Sequence, residues 1–299
     1  MLDTTRPAEP PYGLPPPAHR LPSATRVGGV DLLVSDLARS RDFYEQIVGL
    51  RPLVVEAEQA SFGARGDDRP LVTLRTRPGV TGARRGRFGL FHFAILLPDR
   101  AALGRFAAHL ATRGVRVGMA DHLVSEALYL SDPDGLGIEV YADRPRHTWR
   151  HHERQLAMAS DPLDVPSLIA AAGGTVWDGA PPGTTMGHVH LHVGSLADAE
   201  AFYHRALGLD KMVWNYPGAL FLAAGGYHHH LGTNTWSPGP GPSADQAQLV
   251  EWELIVPADA DAAAVHRSLQ SSGYAAERGA GGVATQDPWG TGMRIRAEG

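Results

Sequence analysis

The chain has 299 residues, 43% of them hydrophobic and 20% charged, with a net charge of −5 and no cysteine. That balance belongs to a soluble globular protein, and the missing cysteine excludes disulfides, zinc–cysteine sites and thiol nucleophiles, leaving nitrogen and oxygen as metal donors. No 18-residue apolar run, no basic-then-apolar leader and no basic block are present, so the expectation is a cytoplasmic protein with a small-molecule partner, acting on neither membrane nor nucleic acid.

Residues 1–26 carry seven prolines (Pro7, Pro10, Pro11, Pro15, Pro16, Pro17 and Pro22), which favour extended chain and predict a disordered arm outside the fold. From Val27 the pattern reads as a strand, a turn at Ser-Asp-Leu, and an amphipathic helix through Phe43, Tyr44, Ile47 and Val48 that stops at Gly49. Three strands follow at about 51–57, 59–63 and 70–77. The same order restarts at Phe91-His92, with Leu103, Phe106 and Leu110 along a helix that ends near Gly114. It returns at Gly187, through Phe202-Tyr203 to Gly208-Leu209, and again at Val250, through Val265 and Leu269 to Gly273.

Adding 159 carries Phe43-Tyr44 to Phe202-Tyr203, Gly49-Leu50 to Gly208-Leu209, Pro98 to Pro257 and Gly114 to Gly273. One offset that holds through both halves is the mark of duplication. The fold class is therefore α+β, with four βαβββ modules over residues 27–80, 87–145, 186–236 and 248–299. A connector, 146–185, holds one short helix at 165–172. His147, His151 and His152 within it are read as solvated.

The third module opens on Met-Gly-His-Val-His-Leu-His-Val, residues 186–193. Side chains of an extended chain alternate between faces, so His188, His190 and His192 share one face while Val189, Leu191 and Val193 pack behind it. Imidazole is the commonest metal ligand near neutral pH, and three on one face point to metal chemistry.

Asp-Leu before a helix, Phe-Tyr within it and Gly-Leu after it, repeated in βαβββ units, resemble the vicinal oxygen chelate superfamily of glyoxalases, fosfomycin-resistance transferases and extradiol ring-cleaving dioxygenases. The stretches Asp121–Pro145 and Gly225–Trp236 resemble the four-module bacterial catechol 2,3-dioxygenase-like proteins. The resemblance implies two half-barrels, with metal ligands on the first and last strands of two modules that share a bowl. The first-strand positions hold Gly29, His92, His188 and Glu251, and the last-strand positions after Asp-Pro-x-Gly hold Glu139 and Arg294.

Gly29 has no donor and Arg294 would repel a cation. The implied ligands are therefore His92, Glu139 and His188, the two-histidine, one-carboxylate set of non-haem Fe(II) oxygenases, if modules two and three share the bowl. Pairing in chain order would offer His188, His230 and Glu251 instead. The resemblance further implies Tyr129, ten residues before Glu139, and His122 as groups that bond a substrate oxygen. It also implies an acid–base histidine at His228 or His230, which alternation places on one face with His229 on the other. The implied activity is Fe(II)-dependent cleavage of a catechol-type ring with O2. A lyase or isomerase using Mn, Zn or Ni and a metal-free aromatic-binding resistance protein remain alternatives, and a homo-oligomer is compatible with any of them.

Overall fold

The computed structural model describes residues 11–298. The first module comprises β1 (Arg26–Leu33), α1 (Leu37–Phe43), β2 (Arg51–Val55), β3 (Gln59–Gly63) and β4 (Val72–Arg75). The second comprises β5 (Gly89–Leu96), α2 (Arg100–Thr112), β6 (Gly118–Asp121), β7 (Ser125–Ser131) and β8 (Gly137–Asp143). A connector with the ribbon β9 (His151–His152) and β10 (Gln155–Leu156) and the helix α3 (Val165–Ala171) leads to the third module. That module has β11 (Thr185–His192), α4 (Leu196–Ala199), β12 (Asp210–Val213), β13 (Ala219–Ala223) and β14 (Leu231–Asn234). The fourth has β15 (Gln248–Val256), α5 (Asp259–Ser271), β16 (Ala276–Gly279), β17 (Gly282–Gln286) and β18 (Gly292–Ala297).

Short polar residues set the helix starts. Asp36, Asp99, Asp164 and Ser195 each accept a hydrogen bond from the backbone N–H three residues on, which satisfies a donor that the first helical turn leaves free. The helices of modules one and three widen into π turns over Tyr44–Val48 and Glu200–Ala206. Their Phe-Tyr pairs are used alike. Tyr203 donates to Asp287 at 2.7 Å and Tyr44 lies 3.5 Å from Asp132, so each tyrosine reaches the Asp-Pro turn of the next module in the chain.

The strands form two eight-stranded curled sheets, ordered β16-β17-β18-β15-β1-β4-β3-β2 and β12-β13-β14-β11-β5-β8-β7-β6. Module one thus joins module four through antiparallel β1 and β15, and module two joins module three through antiparallel β5 and β11. The halves of the sequence are not the halves of the structure. One continuous core, with Trp252, Tyr44, Phe62, Phe93, Phe106 and Phe202 fully buried in it, spans both sheets and their helices.

The proline-rich arm departs from expectation. Residues 1–10 lie outside the described residues, but 11–25 are seated on the third module. Leu14 bridges Lys211, Leu21 is buried with its N–H on the Gly208 carbonyl at 2.9 Å, and Arg20 pairs with Asp210 at 2.8 Å. Proline forbids helix but leaves an extended chain free to lie along the exposed edge of β12. Among the described residues no helix is long and apolar enough to cross a membrane.

Candidate metal centre and active site

The concave face of the sheet shared by modules two and three gathers the histidines. On β11, His188, His190 and His192 point to that face as their alternation predicts, with Val189 and Leu191 fully buried behind. Two irregularities adjust the register. One extra residue, Phe91, bulges from β5 between the pairs His190–His92 and Leu191–Leu90, and Gly187 bulges from β11 between Met186–Ile95 and His188–Ala94. A bulge re-aims the side chains beside it. Here it turns Phe91 toward the same bowl as His92, their rings 4.8 Å apart. At Gly187 only glycine fits, because a Cβ would lie 1.8 Å from the Tyr141 hydroxyl oxygen.

His92 from β5, Glu139 from the neighbouring parallel strand β8, and His188 from β11 converge. His92 Nε2 is 3.0 Å and His188 Nε2 3.2 Å from the same Glu139 oxygen, and the two Nε2 atoms are 3.4 Å apart. All three side chains are buried. Burial alone would raise the Glu139 carboxyl, but the adjoining His188 and His92 hold it well below the usual carboxylate range. Burial pushes His188 down to about 4, against the pull of Glu139, so at neutral pH its imidazole is uncharged.

A buried carboxylate set against the uncharged His188 imidazole and the His92 ring calls for a compensating positive charge, which a bound cation supplies. Two nitrogens and one oxygen aimed at one point are a donor set that suits a divalent transition metal. His188 Nδ1 has no hydrogen-bond partner, and its ring is positioned by packing against Tyr141 and His229. Among the described residues this is the one group of three metal-competent side chains whose ligand atoms lie within 4.8 Å of one another. The matching bowl of modules one and four holds no such group. Arg294 forms a bidentate pair with Glu251 at 2.7 and 2.8 Å, so a guanidinium already neutralises the carboxylate that the chain-order alternative needed.

Tyr129 stands directly across from Glu139 in the β7–β8 ladder, which is what the ten-residue spacing of a hairpin produces. Its hydroxyl is 2.5 Å from His122 Nε2, and His122 Nδ1 is 2.6 Å from the Ala159 carbonyl in the connector. A carbonyl only accepts, so Nδ1 carries the proton and Nε2 accepts from the phenol. Burial, with Glu139 adding to it, raises the Tyr129 phenol well above its ordinary value.

His228 and His230 lie together against Tyr227 with His229 on the other side, as alternation places them, but it is the His229 side that meets the cavity. β14 begins only at Leu231, and the chain before it turns through Gly225 and Gly226, both at positive φ, which sets the side presented to the bowl. His229, not His228 or His230, lines the cavity beside the triad, its ring 4.1 Å from that of His188. His230 turns back onto its own loop, accepting the Ala224 N–H at 3.1 Å and stacking on Tyr227, and burial lowers it to about 3. His228 lies behind His229, with Nδ1 to His229 Nδ1 at 2.7 Å and Nε2 to Asp143 at 2.9 Å. Asp143 accepts the His228 Nε2 proton, which leaves His228 Nδ1 to accept from His229 Nδ1 and frees His229 Nε2 as the acceptor. Spacing separates His229 from His228 and His230 but does not say which side meets the cavity, because that is set by the turn at Gly225 and Gly226. The exposed His147, His151 and His152 of the connector join no such cluster.

The triad opens into a cavity of about 250 Å³ walled by Phe91, Trp236, Phe221, Tyr216 and Met158, with His190 on its floor. Asn234 holds that floor by bonding His190 at 2.9 Å and His192 at 2.6 Å. A cavity of about 150 Å³ is enough to hold a benzene ring. The space here accommodates a ring with oxygen substituents.

Two half-barrels, each made of two βαβββ modules with polar side chains gathered in a bowl, define the vicinal oxygen chelate fold. The chain belongs to the glyoxalase/bleomycin resistance protein/dioxygenase superfamily, whose family description matches residues 26–140 and 185–292. It is 41% identical over 270 residues to the catechol-2,3-dioxygenase of Bacillus subtilis (strain 168), covering 88% of this chain and 94% of that protein, which makes it an extradiol dioxygenase-like enzyme. Two solved structures share the fold. A Bacillus subtilis subsp. subtilis str. 168 protein described as a dioxygenase superposes with a TM-score of 0.66 at 15% identity, over 93% of this chain and 86% of that one. Glyoxalase I from Zea mays superposes with a TM-score of 0.54 at 20% identity, over 91% and 92%.

Proposed function

We propose that the protein is an Fe(II)-dependent extradiol dioxygenase that opens the ring of a catechol-type aromatic, with O2 as co-substrate. The observation that carries this reading is the convergence of His92, His188 and Glu139, with His92 and Glu139 at the wall of an aromatic-lined cavity. The identity to a catechol-2,3-dioxygenase supports it. In this reading those three residues are the iron ligands. A ferrous ion held by two imidazoles and one carboxylate supplies a redox-active Lewis acid with open positions, where an ortho-diphenol and dioxygen can meet.

The chain's own groups then divide the remaining work. Phe91, Trp236 and Phe221 offer the ring apolar faces to pack against. Tyr129, whose proton points to His122, presents its oxygen lone pairs to a substrate hydroxyl, and His122 is placed to take up the proton that the phenol passes on. On the other side, His229 Nε2 is a neutral acceptor beside the triad. Burial holds its pKa well below the ordinary value, so it can remove the second diol proton and return it to the opened product. His228 and Asp143 act behind it by fixing the tautomer, which moves the acid–base role from His228 or His230 to His229. Breaking one ring bond beside the diol while both oxygen atoms enter the product needs no external reductant.

The test is anaerobic loading with Fe(II), followed by oxygen uptake across a panel of catechols. Uptake in step with ring opening supports the reading. Stoichiometric metal without oxygen uptake, together with turnover of a thiol hemiacetal, would move the protein to the lyase class. Aromatic binding without any metal would make it a sequestering protein.

A further inference from the structure

The cavity at the triad has a neighbour. A vestibule of about 850 Å³ meets it at Phe91, His92, Tyr129 and Trp236, which line both spaces. Four arginines, Arg84, Arg85, Arg87 and Arg116, line the vestibule, and no Asp or Glu does. This runs against the balance of the whole chain, whose net charge is −5. None of the four forms an ion pair or side-chain hydrogen bond among the described residues. Asp245 lies within Coulombic reach of Arg84 but is hydrogen-bonded to Ser243 instead. Ser237, another lining residue, is buried at 6% exposure with a hydroxyl that has no partner.

Three of these arginines sit on the link between modules one and two, and that link is held in place. Thr81 N–H reaches the Asp245 carbonyl at 2.8 Å, Ala83 N–H the Asp134 carbonyl at 2.9 Å, and Phe88 N–H the Pro240 carbonyl at 3.2 Å. Like charges gathered on an anchored loop repel one another, and although Arg84, Arg85 and Arg116 are exposed to screening by water, an anion seated among them relieves that repulsion directly. A guanidinium offers paired N–H donors that match a carboxylate, and here none of them is spent on a protein acid.

We propose that the vestibule binds the carboxylate arm of a substituted ortho-diphenol, so that Arg85, Arg87 and Arg116 select an acidic aromatic over unsubstituted catechol, with the ring seated in the triad cavity. The assignment rests on the dioxygenase reading for the diol but on the vestibule alone for the acid. The ring enters between Phe91 and Trp236 while the arm stays behind among the arginines, which leaves the diol end leading toward Tyr129 and the triad.

Calorimetric titration with phenylpropionate and its neutral amide tests this without any ring cleavage. The expected result is that the acid binds about tenfold or more tightly than the amide, a preference that shrinks with added salt as exposed charge pairs are screened. In the Arg85→Gln/Arg87→Gln protein the ratio should fall toward one, and Arg116→Gln should lower it separately. Equal affinities in the unaltered protein, no binding of either probe, or a ratio that survives in both variants would overturn the proposal. Oxygen uptake with catechol reports the underlying reading apart from this. Uptake without acid preference removes only the vestibule assignment, whereas acid preference without uptake removes only the dioxygenase.

Discussion

The hydroxyl of Tyr129 and the Nε2 of His122 meet at 2.5 Å, and the other nitrogen of the imidazole is tied to the Ala159 carbonyl. The connector between the sequence halves thus fixes the tautomer of a cavity residue. Tyr129→Phe should lower turnover by about 10² with metal content unchanged, a proton-transfer loss of ordinary size. His122→Asn should act the same way. If either variant loses metal in proportion to activity, the pair supports the ligands rather than the substrate.

Metal binding should depend on each member of the triad. His188→Ala leaves two donors, which rarely hold a labile divalent ion, and elemental analysis should find it empty. Glu139→Gln keeps the shape but removes the one negative charge, and it should lose metal as well. Stoichiometric metal in either purified variant would refute the site.

His229 and His230 should part company on substitution. His229→Asn removes the free acceptor beside the triad and should slow turnover by about 10² to 10⁴ while metal stays bound. His230→Ala leaves the Ala224 N–H buried without its acceptor, so it should cost about 1–3 kcal/mol of stability. Its folded fraction should turn over at nearly the unaltered rate. The reverse pattern, with activity lost at His230 and kept at His229, would restore the acid–base role expected of His230.

Stability should fall in mild acid. Burial holds His188 down to about 4 and His230 to about 3, and lowers His190 and His229 as well, each from 6.5. Below about pH 6.5 the unfolded chain therefore binds protons that the folded chain refuses, and stability drops as pH falls toward those folded values. Asp132, raised by burial to about 6, and Asp31 and Asp287, also raised by burial, work in the opposite direction, but His19, His109, His192 and His204 are lowered by burial as well, so the lowered imidazoles outnumber them. The metal-free protein should melt at lower temperature at about pH 5 than at about pH 7.5. An equal or higher melting temperature in acid would contradict the burial of neutral imidazoles in the bowl.

Much of this protein is written in local pattern. The four modules, the shared face of His188, His190 and His192, and the Tyr129–Glu139 facing follow from periods of 3.6 and 2 and from a hairpin's fixed register, which depend only on backbone geometry. The same local rules made the 11–25 segment look detached, because they cannot see an edge strand from another module waiting for an extended partner. Tertiary structure decided which modules share a sheet. The β5–β11 and β1–β15 pairings join strands far apart in the chain, and they are chosen by how four apolar faces fit into one core rather than by any single stretch. It also decided which histidine faces the cavity. Gly225 and Gly226 turn the chain just before β14, so the aim of His229 is set by a left-handed backbone and by the chain of hydrogen bonds through His228 to Asp143, residues that spacing alone does not bring together.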